Sequence, residues 1–520
     1  MRRVWSLLLA LCLSVDAEAA EPTPAAVITL RLADHADAQA VLSAATALPG
    51  VRPLAVGTIP GGGGLIDLSA SPALWAELSE IDGVVHLGAP WRPSAKAVES
   101  EGRATLDLAA WDDAGLTGRG VTVAVIDVGF SGWDAAPDEL PPDQVRLVYG
   151  EAGGDRHGAA VAEVILDVAP EVELRLYRVT SAAEFIEALT LAEQDGVDLV
   201  CASLGFDNVW HADGGSPMSL AVDALHDAGV AYVAAAGNEV GRYAAGTLGD
   251  ADGDGWLTLD GAERVYLTDS GGLASASLRW DEPFGAAAVD LALHIEDGGV
   301  ACDVGDDAQR GAGDPFEAAS CVGVSLASAR VQRVGGGSAE GLRAWIYSPG
   351  GVGGVELATE GTLTLPADAR GALSVGALPL GDDTPAAYSS QGPTDDGRLK
   401  PELVGPSGVS TLSFGAGAFE GSSAATPHVA GLVALWMDRA RRDGPAEITD
   451  GLVLRAVDLG DPGADFVSGH GAARAGDLPP RCGCAANPTR AAAPWTLILA
   501  LFVRVRRREA CALAARSAIV

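Results

Sequence analysis

Positive charge is scarce in this chain. Over 520 residues, 34 Lys and Arg stand against 70 Asp and Glu, a net charge of −36. A nucleic-acid or anionic-membrane binder needs a basic face to neutralise phosphates, so this balance argues against both as general partners. Aromatic residues make up 5% and methionines number three, which leaves core packing mainly to Ala, Val, Leu and Ile. No cysteine spacing resembles a zinc site. The two apolar runs near the ends, Val4–Val15 and "AAAPWTLILALFV", are too short to span a bilayer comfortably. Glycine, by contrast, is abundant at 67 residues and follows no Gly-X-Y period, so it marks turns and loops.

The organisation follows from periodicity. An Arg-rich start, the first apolar run and small Ala17 and Ala19 read as a secretory signal peptide over residues 1–20. Export makes a disulfide the expected state of Cys302 and Cys321. Cys201, inside "VDLVCASLG", reads as a buried strand thiol. Residues 25–97 show strand, helix, strand, helix, strand in "AVITLRL", "ADAQAVLSAATAL", "LIDLSA", "SPALWAELSEI" and "GVVHLG", an α+β unit. From 106 to 475, apolar strands such as "GVTVAVIDVG" alternate with amphipathic helices such as "HGAAVAEVILDV". That pattern predicts an α/β domain with a parallel sheet covered on both faces and its working groups at the strands' carboxyl ends. Over 241–365 the helices vanish. There "ERVYLT", "SASLRW", "AVDLALHI", "GVSLAS", "LRAWIYS" and "GTLTLP" predict short strands of an inserted β-sandwich.

Four residues could carry chemistry together. Asp127 ends the strand "VTVAVID", where a buried carboxylate demands a partner. His157 stands at the start of an amphipathic helix and can face a cleft. Asn238 closes "VAYVAAAGN"; its amide could donate to an oxyanion, or it could serve an ordinary Gly-Asn turn. Ser423, in "GSSAATPHVAG", opens a buried helix whose N-terminal dipole and N–H groups favour a developing anion. His428 lies inside that helix and reads as packing.

The segments "VAVIDVG", "HGAAVAEVI", "ASLG", "AAAGNE", "YSSQGPTDDGRLKPELVGPS" and "GSSAATPHVAG" resemble, in this order, those of the subtilisin-like serine proteases. The resemblance implies a subtilisin-like fold and a secreted endopeptidase. Asp127 would orient the base, His157 would be the general base, Ser423 the nucleophile and Asn238 the oxyanion donor. Ser203, Leu204 and Gly205 would form a wall that pairs with substrate backbone. It also implies that 25–97 is a ferredoxin-like propeptide, chaperone and inhibitor, released by a cut between about 95 and 106. Protein or peptide substrates are the expected partners, and no cofactor is required for the chemistry. The chain departs from the pattern at "GSSAATP" for "GTSMATP", at "HGA" for "HGT", and at "VGFSGWD" after Asp127, the last touching cleft walls and hence specificity. A serine esterase of the α/β-hydrolase type would need a GxSxG elbow and the order Ser, Asp, His, and neither is present. A catalytically silent scaffold that displays the insertion as a binding module is the other reading.

Two further features stay open. "GDADGDGWLTLDGAE" places Asp250, Asp252 and Asp254 at DxDxDG spacing, which fits a structural calcium loop or a solvated acidic turn; the twelfth position is Gly261 in place of the usual acid. Residues 476–520 join Cys482-Gly483-Cys484, an apolar stretch and "RVRRR", and resemble a myxobacterial sorting tail processed by a sorting enzyme. A stop-transfer anchor is the alternative. The sorting-tail reading implies surface or outer-membrane attachment, or release after processing.

Overall fold

The computed structural model describes residues 26–33, 36–58, 64–88, 98–268, 272–311 and 313–479, in two compact units that divide after Lys96. The expected signal peptide, the linker through Ala97 and the tail from residue 480 lie outside the described residues. In the first unit, β1 (Ala26–Leu32), α1 (Ala38–Thr46), β2 (Arg52–Thr58), β3 (Gly64–Ala70), α2 (Trp75–Ser79) and β4 (Val84–Gly88) build an antiparallel sheet of order β2-β3-β1-β4 with two helices. Asp37 caps α1 by accepting the Gln39 and Ala40 N–H groups. Ile28, Leu30, Ile66 and Leu68 form its buried centre. Strand β2, "RPLAVGT", gives little sequence signal because Pro53 and Gly57 interrupt it; it sits at the sheet edge, where proline is tolerated.

The second unit opens with α3 (Gly102–Thr105) and α4 (Ala109–Asp113). It continues through β5 (Thr122–Asp127), β6 (Val145–Tyr149), α5 (His157–Val168), β7 (Glu173–Arg178), α6 (Ala182–Gln194), β8 (Leu199–Ala202), α7 (Pro217–Asp227) and β9 (Ala231–Ala235). Ten antiparallel strands then intervene: β10 (Tyr243–Gly249), β11 (Trp256–Leu259), β12 (Val265–Leu267), β13 (Leu273–Trp280), β14 (Asp290–Asp297), β15 (Val300–Gly305), β16 (Phe316–Val322), β17 (Ala327–Gly335), β18 (Arg343–Tyr347) and β19 (Val352–Gly353). The α/β pattern returns with β20 (Ala372–Pro379), β21 (Leu403–Ser407), the hairpin β22 (Val409–Thr411) and β23 (Gly415–Phe419), then α8 (Ser422–Arg439) and α9 (Pro445–Val453).

The main sheet is parallel throughout, in the order β21-β20-β9-β8-β5-β7-β6. Strand alternation feeds two cores. Val123 and Val125 point into the cluster shared with α5 and α8, whereas Ala124 and Ile126 point into the one shared with α6 and α7. Every residue from Val123 to Asp127 is buried, so β5 reads as a continuous apolar run that ends in a carboxylate. Each fully buried Val contributes roughly 1.5–3 kcal/mol to the stability of the fold that presents that carboxylate.

The insertion is a single curled sheet rather than two separate ones. Its hydrogen-bonded path runs β15-β14-β17-β11-β10-β18-β13-β16, and its two ends come together. Cys302 of β15 and Cys321 of β16 join there in a disulfide, with Cα atoms 6.2 Å apart, a normal disulfide span. Two expected strands need correction. "GTLTLP" makes only an isolated bridge, Leu365 to Phe206. Its backbone N–H groups disperse to Gly392, Gln391, Ala236 and Phe206, so no ladder forms. "GVSLAS" is mostly a turn, with only its end entering β17.

The segment "SAKAVESEG", 94–102, reads from the sequence as a linker, but its described part, from Val98, belongs to the second unit. The Ser100 N–H donates to Asp167 Oδ2 at 2.8 Å, and Glu101 accepts both the N–H and the hydroxyl of Ser410. His428 Nδ1 lies 2.7 Å from the Ala424 carbonyl, so Nδ1 carries the proton and Nε2 accepts from the Ser100 hydroxyl at 2.8 Å. Burial pushes the His428 pKa down to about 4, which keeps the ring neutral. Its role is packing and anchoring.

This anchor carries an electrostatic strain. Burial pushes the Asp167 carboxyl up to about 7; the Ser100 N–H pulls it down, and Glu139, Glu99 and Glu163 push it further up. Its folded pKa exceeds the unfolded one. The folded state therefore loses stability as pH rises from about 4 to about 7, and the loss is complete above 7. We expect Asp167→Asn to raise the unfolding free energy at pH 8 by on the order of 2 kcal/mol, with less than half of that gain at pH 5. Urea denaturation at the two pH values checks this, and an equal effect at both would count against it.

Candidate active site

The three central strands β9, β8 and β5 are neighbours, and their carboxyl ends deliver Asn238, Ser203 and Asp127 to one rim. Asp127 is fully buried, so its charge needs donors. His157 Nδ1 stands 2.9 Å from Oδ2 and 3.0 Å from Oδ1, and the Val128 N–H donates to Oδ1 at 2.8 Å. His157 opens α5, where Asp155 accepts its backbone N–H at 2.8 Å. The next residue must be glycine. A Cβ at 158 would fall 2.5 Å from the Phe130 ring and 2.7 Å from Asp127 Cβ, which would drive the helix start off the strand end.

The imidazole is held from several sides. Phe419 meets it edge-on, ring centroids 5.6 Å apart, and the carboxylate fixes Nδ1 as the protonated nitrogen, leaving Nε2 to accept. Burial lowers the His157 pKa, but the Asp127 charge and hydrogen bond, with Asp155 beyond, outweigh it. The net shift is upward.

Two residues after Phe419, the chain enters α8 through Gly421 at φ +92°; a Cβ there would sit 2.9 Å from Asn238 Nδ2. Asn238 Oδ1 accepts the Ser422 N–H at 2.9 Å, which orients the amide and leaves Nδ2 as a donor. The two serines are then told apart by their surroundings. Ser422 is fully buried, and its hydroxyl accepts the Gly237 N–H at 3.2 Å. Ser423 is partly exposed, and its Oγ donates to the Ser203 carbonyl at 3.2 Å, not to His157. The Ser203 hydroxyl returns a bond to the Ser423 carbonyl at 3.2 Å. Leu204 is half-buried and Gly205 exposed, so the chain after β8 emerges from the sheet at this point.

Asp250, Asp252 and Asp254 bring one oxygen each within 4.8 Å of one another. The fit to a calcium loop is partial. Asp260 turns away to accept the Thr247 N–H at 2.9 Å, Gly261 offers no side chain, and Arg333 lies 3.8 Å from Asp250. Cys201 is buried in β8, and burial pushes its thiol pKa up, which makes it unreactive.

Sequence reasoning missed five residues around this site. Phe419 gives no motif signal. Ser422 looks like a rival nucleophile until its burial is seen. The trio Asp207, Glu239 and Tyr347 comes from three distant segments, with the Tyr347 hydroxyl 3.1 Å from Asp207 Oδ2 and 3.0 Å from Glu239 Oε2. The acids could have been noted as neighbours of Gly205 and Asn238 in the chain; the tyrosine could not.

A buried acid paired with a helix-borne imidazole, on the sheet rim that also carries a serine at a helix N-terminus, is compatible with a serine hydrolase on a parallel α/β sheet. The model of the subtilase family matches residues 118–279 and 325–471, and the chain belongs to that family of serine peptidases. Among solved structures, the Clostridium perfringens CspB protease is similar at TM-score 0.54 and 17% identity, over 72% of this chain and 97% of that one, which supports the fold. A lanthipeptide protease matches at TM-score 0.40 and 17% identity, over 72% of this chain and 91% of that one.

Proposed function

We propose that the chain is a secreted serine endopeptidase that hydrolyses peptide bonds through an acyl-enzyme. The observation that carries this reading is the His157 Nδ1 to buried Asp127 contact at 2.9 Å, at the rim that also holds Ser423. His157 Nε2 takes the Ser423 hydroxyl proton as Oγ bonds to the substrate carbonyl carbon. The oxyanion takes hydrogen bonds from Asn238 Nδ2 and the Ser423 N–H. His157 then gives the proton to the leaving amine as the C–N bond breaks, and water releases the acyl group by the same steps in reverse. Before attack, Ser423 Oγ must turn from the Ser203 carbonyl towards the ring; a hydroxyl rotor does this readily, and such bonds commonly tighten only on substrate binding.

The first unit is read as the inhibitory propeptide, residues 1–20 as the export signal, and residues 476–520 as the tail that a sorting enzyme processes for surface attachment. Incubating the matured protein with casein and internally quenched peptides tests the activity. Cleavage with a burst of acyl-enzyme is expected. No cleavage by a fully matured, folded chain would favour the silent-scaffold reading.

For the acidic loop, a weak calcium site of extracellular type is the corresponding proposal, held by Asp250, Asp252 and Asp254 with a purely structural role. Millimolar calcium should raise the melting temperature by a few degrees relative to chelator, in keeping with weak extracellular sites. Asp252→Asn with Asp254→Asn should abolish that difference. Identical melting with calcium and with chelator would remove the ion from the account.

A further inference from the structure

We propose that Asp207, with Glu239 behind it, recognises a Lys or Arg side chain of the substrate, carried by the residue whose carbonyl is attacked. The inference rests on the peptidase reading above and names its substrate class. A cavity of about 360 Å³ opens between the chain after β8 and the insertion, lined by Asp207, Val209, Asp303, Phe316 and Tyr347 and by small Ser and Ala residues of β13 and β16. Among the described residues, no Lys, Arg or His lines it. Apolar walls suit the methylenes of a long side chain, and the Asp207 carboxylate, with Asp303 also on the lining and Glu239 behind the wall, suits a cation at its end.

The carboxylates lack sufficient counter-charge. Arg242 pairs with Glu239 at 3.1 Å, and among the described residues no Lys or Arg forms an ion pair with Asp207. The Tyr347 hydroxyl lies within 3.1 Å of both carboxylates and has a single hydrogen to share. Asp207 Oδ1 is buried and meets no donor at hydrogen-bonding geometry. Burial and then the Glu239 charge push the Asp207 carboxyl up to about 6, with Thr364, Tyr347 and Arg242 pulling it down. A substrate cation would supply the missing donor and charge.

Position ties the cavity to the chemistry. Asp207 lies four residues beyond Ser203, a reach of at most about 14 Å, and Ser203 bonds Ser423 twice. Glu239 directly follows Asn238, whose amide would hold the attacked carbonyl. On this placement the cavity is assigned to the side chain borne by that carbonyl's own residue.

The chain's own processing supplies a check. Ser100 is buried, and the N–H groups of Val98 and Ser100 are held by Glu139 and Asp167, so a cut that leaves this anchor intact falls before Val98. Between Pro93 and Val98 the one basic residue is Lys96. Self-cleavage would add water across the Lys96–Ala97 amide, leaving a carboxylate on Lys96 and an ammonium on Ala97.

The test uses the full chain after maturation and peptides that differ only in the residue before the cut. We expect kcat/KM for Lys and Arg to exceed that for Leu roughly tenfold to hundredfold, Asp207→Asn to collapse the ratio to near one, and Asp207→Glu to restore part of it. The mature protein should begin at Ala97. A ratio near one in the wild type, a ratio unchanged by Asp207→Asn, or maturation after a residue other than Lys96 would overturn the proposal. Because the readout compares substrates on one preparation, partial misfolding lowers both rates alike; if Asp207→Asn does not fold, the wild-type ratio and N-terminus decide. A fluorophosphonate label on Ser423 marks these outcomes as failures of this pocket. A chain that takes no label and cuts nothing overturns the peptidase reading beneath it.

Discussion

Ser423→Ala lowers kcat on a peptide substrate by on the order of 10⁶-fold, the loss subtilisin shows on removal of its nucleophile. The change deletes one oxygen at the second residue of α8, where the side chain is partly exposed and makes one hydrogen bond, to the Ser203 carbonyl. Stability should therefore change little, and KM should stay within a few-fold, because the binding walls are untouched. A residual acceleration of about 10³-fold over water should survive, supplied by the Asn238 amide and the backbone N–H. The neighbouring serine is the control. Ser422→Ala removes the acceptor of the Gly237 N–H at a fully buried position, which costs about 1 kcal/mol of stability or more. Its kcat should remain within about tenfold of wild type, since no step above uses its hydroxyl. Single-turnover kinetics on both variants separates the two serines, and equal losses would reject Ser423 as the nucleophile.

Asp127→Asn should lower kcat by about 10⁴-fold while the fold persists. An amide in place of the carboxylate can present its NH₂ to Nδ1, which would move the ring proton to Nε2 and leave that nitrogen unable to accept from Ser423. It also cannot stabilise the imidazolium that forms during attack. The pH profile carries an independent signature. Against the pull of burial, the Asp127 charge and hydrogen bond hold the His157 pKa above its ordinary value. The base is active when neutral, so wild-type kcat/KM should climb with pH through that raised value and level off above it. In Asp127→Asn burial is no longer opposed by that charge, and the acidic limb should move to lower pH while the plateau falls. A limb that stays in place would mean that another group titrates.

Much of this architecture is legible in the amino-acid order, for identifiable reasons. Strand β5 announces itself because it is buried on both faces and must be apolar until Asp127. Helices α5 and α8 announce themselves through small residues where they meet the sheet. Edge elements are harder. Strand β2 carries Pro53, and β6 alternates in burial along "VRLVY", so neither gives a continuous apolar run. "GTLTLP" shows the converse error: its alternation mimics a strand, yet Thr362 and Thr364 are buried to satisfy loops from separate segments. The roles of Asp127, His157 and Ser423 could be suspected from chain order. Their support could not, because Phe419 beside His157 and Ser100 beneath His428 depend on contacts between segments hundreds of residues apart.

The central claim is that one hydroxyl, at position 423, is the activated nucleophile. Treating the matured protein with a fluorophosphonate and locating the adduct by peptide mass spectrometry tests it most directly. The account predicts a single phosphonylated residue, Ser423, and loss of labelling in His157→Ala. Labelling at Ser422 or elsewhere, or undiminished labelling of Ser423 without the imidazole, would contradict it.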